Sequence, residues 1–121
     1  EAWLPANGWN GTFEGRGSSG IGGSVPYNDL ATSLRAGYAT AGSDTGHQGD
    51  SSYALTEPEK VIDFGYRAGH EVPVKAKAIM AAYYGSGPVF SFINGFIYPG
   101  FYRLPALFLP AFKGPFLPLK T

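Results

Sequence analysis

Apolar and polar positions along this 121-residue chain switch between a two-residue and a helical period, and each switch marks an element. Residues 1–26 carry turn signals at Asn7-Gly8 and Asn10-Gly11 around Trp9, a short strand at Thr12-Phe13, and a glycine-dense run from Gly15 to Gly23. A first helix follows: Pro26 suits an opening turn, Leu30, Ala31 and Leu34 share a face, and Gly37 offers a left-handed cap. Tyr38 to Gly42 reads as a buried strand that ends in the polar Ser43-Asp44-Thr45-Gly46-His47. Thr56-Glu57-Pro58-Glu59 reads as a capping box for a second helix through Val61, Ile62 and Phe64, which Pro73 breaks or restarts. Val74 to Tyr84, with Ala76, Ile79, Met80 and Tyr83 at helical spacing, is the strongest helix and stops at Gly85. Val89 to Ile93 is a short β-rich apolar run ended by Asn94-Gly95. The order β, α, β, α, β predicts an α/β layer on a mainly parallel sheet.

The pattern changes at Phe96. From there to Thr121, Phe and Leu alternate with Pro99, Pro105, Pro110, Pro115 and Pro118, a spacing that no regular element survives. The same prolines and Arg103 interrupt every window long enough to span a membrane, so no membrane partner is expected. Two segments result: an α/β unit over residues 1–95 and an irregular Pro- and Phe-rich tail over 96–121.

Composition narrows the chemistry. The chain holds 18 Gly and 10 Pro, just under the share at which disorder becomes the default, but 16% aromatic residues are too much apolar surface to leave in water. Nine basic residues cancel nine acidic ones, which leaves no basic footprint for nucleic acid. All nine acidic residues lie between Glu1 and Glu71, and only Lys75, Lys77, Arg103, Lys113 and Lys120 follow. Cysteine is absent, which excludes disulfides, thiol nucleophiles and thiolate metal sites and leaves only His47 and His70 as nitrogen ligands; no metal is expected within these residues. The opening Glu1-Ala2-Trp3 has no signal-peptide pattern and reads as an interior position of a longer or processed chain.

Four motifs carry candidate chemistry. Gly15-Arg16-Gly17-Ser18-Ser19-Gly20 satisfies the spacing of a dinucleotide loop, but Ile21-Gly22-Gly23 and Pro26 prevent a helix from starting at the third glycine. The loop is better suited to presenting backbone amides to an oxyanion. Asp44-Thr45-Gly46 matches an aspartic-protease triplet, yet Ala41-Gly42-Ser43 lacks the apolar lead that mechanism needs. His47 beside one Asp reads as a hydrogen-bonded structural pair, and Arg67 and His70, about one helical turn apart, as solvated or capping groups. No strand leads into G-x-S-x-G: Val89 to Ile93 leads to Gly95-Phe96-Ile97-Tyr98-Pro99, which has the glycine of a nucleophile elbow with Ile97 where the Ser should stand.

Taken together, these residues resemble the tannase and feruloyl esterase family of α/β-hydrolases. Trp3-Leu4-Pro5 with Trp9-Asn10-Gly11 is similar to the family's opening, Phe13 to Gly23 to its glycine-rich loop, and Gly37-Tyr38-Ala39-Thr40 to Asp44-Thr45-Gly46-His47 to its most recognisable block. Phe64-Gly65-Tyr66-Arg67-Ala68 with His70, then Lys77 and Tyr83-Tyr84-Gly85, resembles the helix before the nucleophile strand. The resemblance implies a partial α/β-hydrolase fold, with an incomplete, mainly parallel sheet and flanking helices. It also implies a secreted serine esterase acting on hydroxycinnamoyl or galloyl esters, free or polysaccharide-linked. Gly17, Ser18, Ser19 and Gly20 then become oxyanion-loop candidates, and Asp44, Gly46, His47, Arg67 and His70 structural motif residues. The family continues after its Gly into Cys-Ser-Thr-Gly-Gly, where this chain has Phe96, Ile97, Tyr98, Pro99 and Gly100. Its acid, its His and its calcium-bearing lid have no counterpart here, so neither a catalytic residue nor a cofactor is expected within these residues. A non-catalytic interaction role for the aromatic tail is the alternative. So is an altered reading frame, retained intron or misplaced gene end, and a continuous spliced message across the codons for Asn94 to Phe96 would refute that.

Overall fold

The computed structural model describes residues 1–18 and 20–95; the tail lies outside the described residues. Four strands, β1 (Ala2–Trp3), β2 (Thr12–Arg16), β3 (Ala39–Gly42) and β4 (Phe90–Asn94), form one sheet in the order β1-β3-β2-β4. β2 pairs in parallel with β3 (Phe13 opposite Ala39) and with β4 (Thr12 opposite Phe90), while β1 runs antiparallel along β3. The parallel β-α-β reading thus holds, and the strand foreseen at Thr12-Phe13 extends through Glu14, Gly15 and Arg16.

Helix α1 (Tyr27–Arg35) connects β2 to β3. Its opening at Pro26 and the left-handed Gly37, φ +84°, match the sequence signals. The way from β3 to β4 runs through a 3-10 turn (Ser51–Leu55), α2 (Pro58–Ile62), a π-helical turn (Asp63–Arg67) and α3 (Ala68–Tyr84), which ends on the left-handed Gly85. The step from β2 to β3 and the step back across β2 to β4 go in opposite directions. Right-handed crossovers therefore put α1 and α3 on opposite faces.

Alternation along the strands sorts the side chains accordingly. Phe13, Ala39 and Ala41 face α3 and pack with Ala76 and Met80 into the core; Glu14, Arg16 and Thr40 face α1. Every residue of β3 is buried, and its small side chains (Ala-Thr-Ala-Gly) let helices approach from both faces. Trp9 stacks on Tyr84 at 4.0 Å, and the Tyr84 hydroxyl donates to the Pro5 carbonyl at 2.7 Å, which ties the opening segment to the end of α3.

Three expectations need correction. The capping box does not form: Thr56 closes the preceding 3-10 turn through its N–H to the Tyr53 carbonyl, so α2 opens after Glu57, with Pro58 in the first turn and no side-chain cap. Pro73 neither breaks nor restarts the helix; it lies inside α3 with its ring buried. The buried stripe of α3 is Pro73, Ala76 and Met80, with Val72 and Tyr84 packed against the core, whereas Ile79 and Tyr83 point to solvent.

That last difference is measurable. Met80→Ala should cost about 2–4 kcal/mol by removing a core side chain that is 1% exposed. Ile79→Ala should cost under ~1 kcal/mol, as a solvent-facing position does. Urea titrations with equal slopes check both values, and equal costs would refute this assignment of the α3 faces.

Candidate functional site at the strand ends

The parallel strands place Arg16, Gly42 and Asn94 at one end of the sheet, where α/β folds open their binding crevices. The three segments that leave this end are the glycine loop after β2, the Ser43–His47 block after β3, and Gly95 after β4.

β2 and β4 meet at close quarters. The Gly17 N–H donates to the Asn94 carbonyl at 3.0 Å, and a Cβ on Gly95 would stand 3.0 Å from the Gly17 N, Cα and O. With its φ at +152°, position 95 suits glycine alone. Beneath this contact lies Glu14, 2% exposed. Its Oε1 accepts from Asn94 Nδ2 at 3.1 Å and pairs with Arg16 at 3.3 Å, while Arg16 Nε donates to Ser33 Oγ of α1 at 2.7 Å. Asn94 is thus held by β2 through both its main chain and its side chain. Glu14 and Asn94 are the site residues that sequence reasoning missed. Their one signal was a charged residue on an inward-facing strand position, with Arg16 two residues on along the same face.

The glycine loop folds onto the Ser43–His47 block. Gly23 N donates to the Asp44 carbonyl and Gly49 N to the Gly23 carbonyl, each at 3.2 Å. A Cβ on Gly22 would collide with Thr45 Oγ1, and one on Gly23 with the Gly49 carbonyl. Asp44 Oδ1 accepts from Gly46 N at 3.0 Å and Ser43 Oγ from Thr45 N at 3.2 Å, with Thr45 and Gly46 both at positive φ. Asp44 therefore builds a turn.

His47 does not form the hydrogen-bonded pair expected of it. Its ring is 4% exposed, lies 4.1 Å from Tyr53 and 5.7 Å from Phe64, and neither nitrogen has a partner. The ring packs as an aromatic plug under the loop. Arg67 and His70 stay at the surface as expected. Arg67 binds Glu59 and Asp63 at 3.0 Å, and the Glu59 bond holds its guanidinium above the ordinary range. His70 Nδ1 lies 3.3 Å from Glu71 Oε1, and its bond holds that carboxyl below the ordinary range.

Of the oxyanion-loop candidates, Gly17 has its N–H committed to Asn94, which leaves Ser18 and Gly20 as described positions; Ser19 and Ile97 lie outside the described residues. Gly17 and Ser18 line two clefts. One is apolar, with Ala41, Phe64, Val72 and Ile93; the other is polar, with Gly22, Tyr27, Asn94 and Gly95. Among the described residues no three His, Asp or Glu side chains gather as a metal site would require.

A glycine-lined loop after one strand is thus pressed against a glycine that ends the neighbouring parallel strand. The family model for tannase and feruloyl esterase matches residues 1–97. The chain belongs to the tannase and feruloyl esterase family. It is 42% identical over 88 residues to a probable feruloyl esterase B-1 of Aspergillus fumigatus, covering 72% of this chain and 16% of that protein. It is 38% identical over 98 residues to an uncharacterized esterase of Xanthomonas campestris pv. campestris, covering 78% and 17%. The crystal structure of feruloyl esterase B from Aspergillus oryzae superposes with a TM-score of 0.72 at 37% identity, covering 78% of this chain and 19% of that one. The chain spans under a fifth of the length of these relatives. Its sheet and flanking helices are a partial α/β-hydrolase fold, and its family is one of carboxylic ester hydrolases.

The Ser43–His47 turn gives a test of its own. Gly46 has φ +90°, and a Cβ there would lie 2.5 Å from the Asp63 Cβ, so Gly46→Ala should destabilise by about 2–4 kcal/mol through strain and collision together. Gly20 has φ +59° with nothing within 4 Å of a Cβ, so Gly20→Ala should cost about 1–2 kcal/mol. Denaturant midpoints decide, and a Gly46→Ala cost no larger than that of Gly20→Ala would show that Asp63 yields.

Proposed function

We propose that this chain forms the oxyanion side of an ester-hydrolase site for hydroxycinnamoyl or galloyl esters of plant material, and that it acts outside the cell. The observation that supports this best is the pinning of the glycine loop against the end of β4. Through the Gly17 bond to Asn94 and the glycine-only contact at position 95, the loop and the strand end are fixed before any ester arrives. Fixed amides are what acyl transfer needs, because charge developing on the carbonyl oxygen is then met without reorganisation. With the Gly17 N–H committed, the donor role in this reading falls to the Ser18 amide. The committed Gly17 serves as the spacer that sets its distance from β4. The apolar cleft between Phe64, Val72 and Ile93 suits an aromatic acyl ring beside that amide.

The 121-residue chain does not turn over esters by itself in this reading. Position 97 holds Ile where the family pattern places the nucleophile, and His47 has both nitrogens buried and lines neither cleft. Loss of a triad costs on the order of 10⁴ to 10⁶ in rate.

Purified chain given methyl ferulate or methyl gallate should therefore release no acid above a heat-treated control. Grafting Cys-Ser-Thr-Gly onto positions 96–99 should leave it inactive, because the new Ser lacks a base. Turnover should appear once the downstream part of a family member, with its acid and His, is joined after residue 100. Rapid acylation of the grafted 121-residue chain by a fluorophosphonate probe would overturn this, since it would reveal a base within these residues.

A further inference from the structure

We propose that Asn10 is an acceptor for N-linked glycan, a modification site at the end of the sheet opposite the candidate ester site. Asn10-Gly11-Thr12 is an N-x-T triplet, and none of the other three Asn residues, Asn7, Asn28 and Asn94, is followed by Ser or Thr at the second position. The geometry strengthens it.

Asn10 is exposed, and its Oδ1 accepts the Thr12 N–H at 3.0 Å, an Asx turn that puts the amide and the hydroxyl-bearing residue on one tight bend. The bend is held from three sides. The Asn10 N–H donates to the Gly37 carbonyl at 3.1 Å, Trp9 Nε1 donates to the Thr12 carbonyl at 2.9 Å, and the Trp9 ring is stacked on Tyr84. Nδ2 carries two hydrogens. One makes a long, exposed contact of 3.4 Å with the Ala36 carbonyl, and the other is left for substitution.

The reaction this requires is a glycosyl transfer from a lipid-linked oligosaccharide diphosphate, performed by a transferase. The Nδ2–H bond breaks and its proton passes to a base on the transferase. A bond forms between Nδ2 and the anomeric carbon, and the lipid diphosphate leaves with the electron pair of its C–O bond. Asn10 precedes the first residue of β2, whereas the glycine loop follows the last. Five strand residues, roughly 17 Å, separate the sugar from the cleft, so a glycan there leaves the strand ends open.

The inference rests on the proposed extracellular role, because the donor lipid is met on the secretory route. The test separates the two. The 121-residue chain is fitted with a cleavable leader that directs it into the lumen of a eukaryotic secretory pathway, and lumen and medium are both analysed. Most molecules should carry one glycan that peptide N-glycosidase removes, leaving a deamidated side chain at position 10. Asn10→Gln and Thr12→Ala should abolish the glycan, and Thr12→Ser should retain it. Leader-fitted chain recovered without glycan, or a glycan that survives Asn10→Gln, overturns the assignment. A natural chain that stays unmodified while the leader-fitted chain is modified upholds the acceptor and shows that the natural chain does not meet the donor lipid.

Discussion

The architecture depends on how closely two parallel strands meet at their carboxyl ends. Between β2 and β4 the chain uses glycine at 15, 17 and 95, and a Cβ at 15 or 95 would come within about 3 Å of the opposite strand. That approach allows the Gly17 bond to Asn94, and it decides where the glycine loop begins. A single methyl at position 95 would push the strand ends apart. The loop would then lose its register over Thr45 and Gly49, because Gly22 and Gly23 fit those neighbours only without side chains. The chain meets a geometric demand here by omission of side chains, and the site inherits its shape from that omission.

A charged network lies directly under this contact. Glu14 is buried with one oxygen engaged and the other without a partner, an arrangement that costs free energy compared with an apolar residue of the same size. What it provides is direction: Arg16 is aimed at α1 and Asn94 at β2, so a helix and two strands are locked to one another by groups that tolerate few alternative geometries. A Leu at position 14 would fill the space and leave Asn94 Nδ2 without its acceptor.

Much of the fold was legible because local rules agreed with tertiary packing. Gly37 and Gly85 end α1 and α3 where left-handed conformations are needed, and the run Val89 to Ile93 covers all of β4 but Asn94. Reading failed where two local signals competed for one residue. Thr56 could cap a helix or close a turn, and the turn won because the Tyr53 carbonyl was already in place. Pro73 reads as a breaker, but α3 runs through it with its ring buried, so a local rule was overridden in the folded chain. The α3 stripe was misread at Ile79 and Tyr83, because periodicity gives the spacing of a face and leaves open which of two apolar faces meets the core. The site was legible as motifs, and the roles of Glu14 and Asn94 were hidden since each depends on a partner far along the chain.

That distance bears on how the molecule acquires its site. The bond from Asn94 to Glu14 joins residues 80 positions apart, and Tyr84 reaches Pro5 across 79. Closing so long a loop is entropically costly before any contact rewards it, while α1 and the β2–β3 pair span short stretches and form with little search. The glycine loop therefore stays without its pinning bond until β4 docks. In a chain growing from its amino terminus, the contact between the glycine loop and Asn94 comes into being only after β4 has emerged.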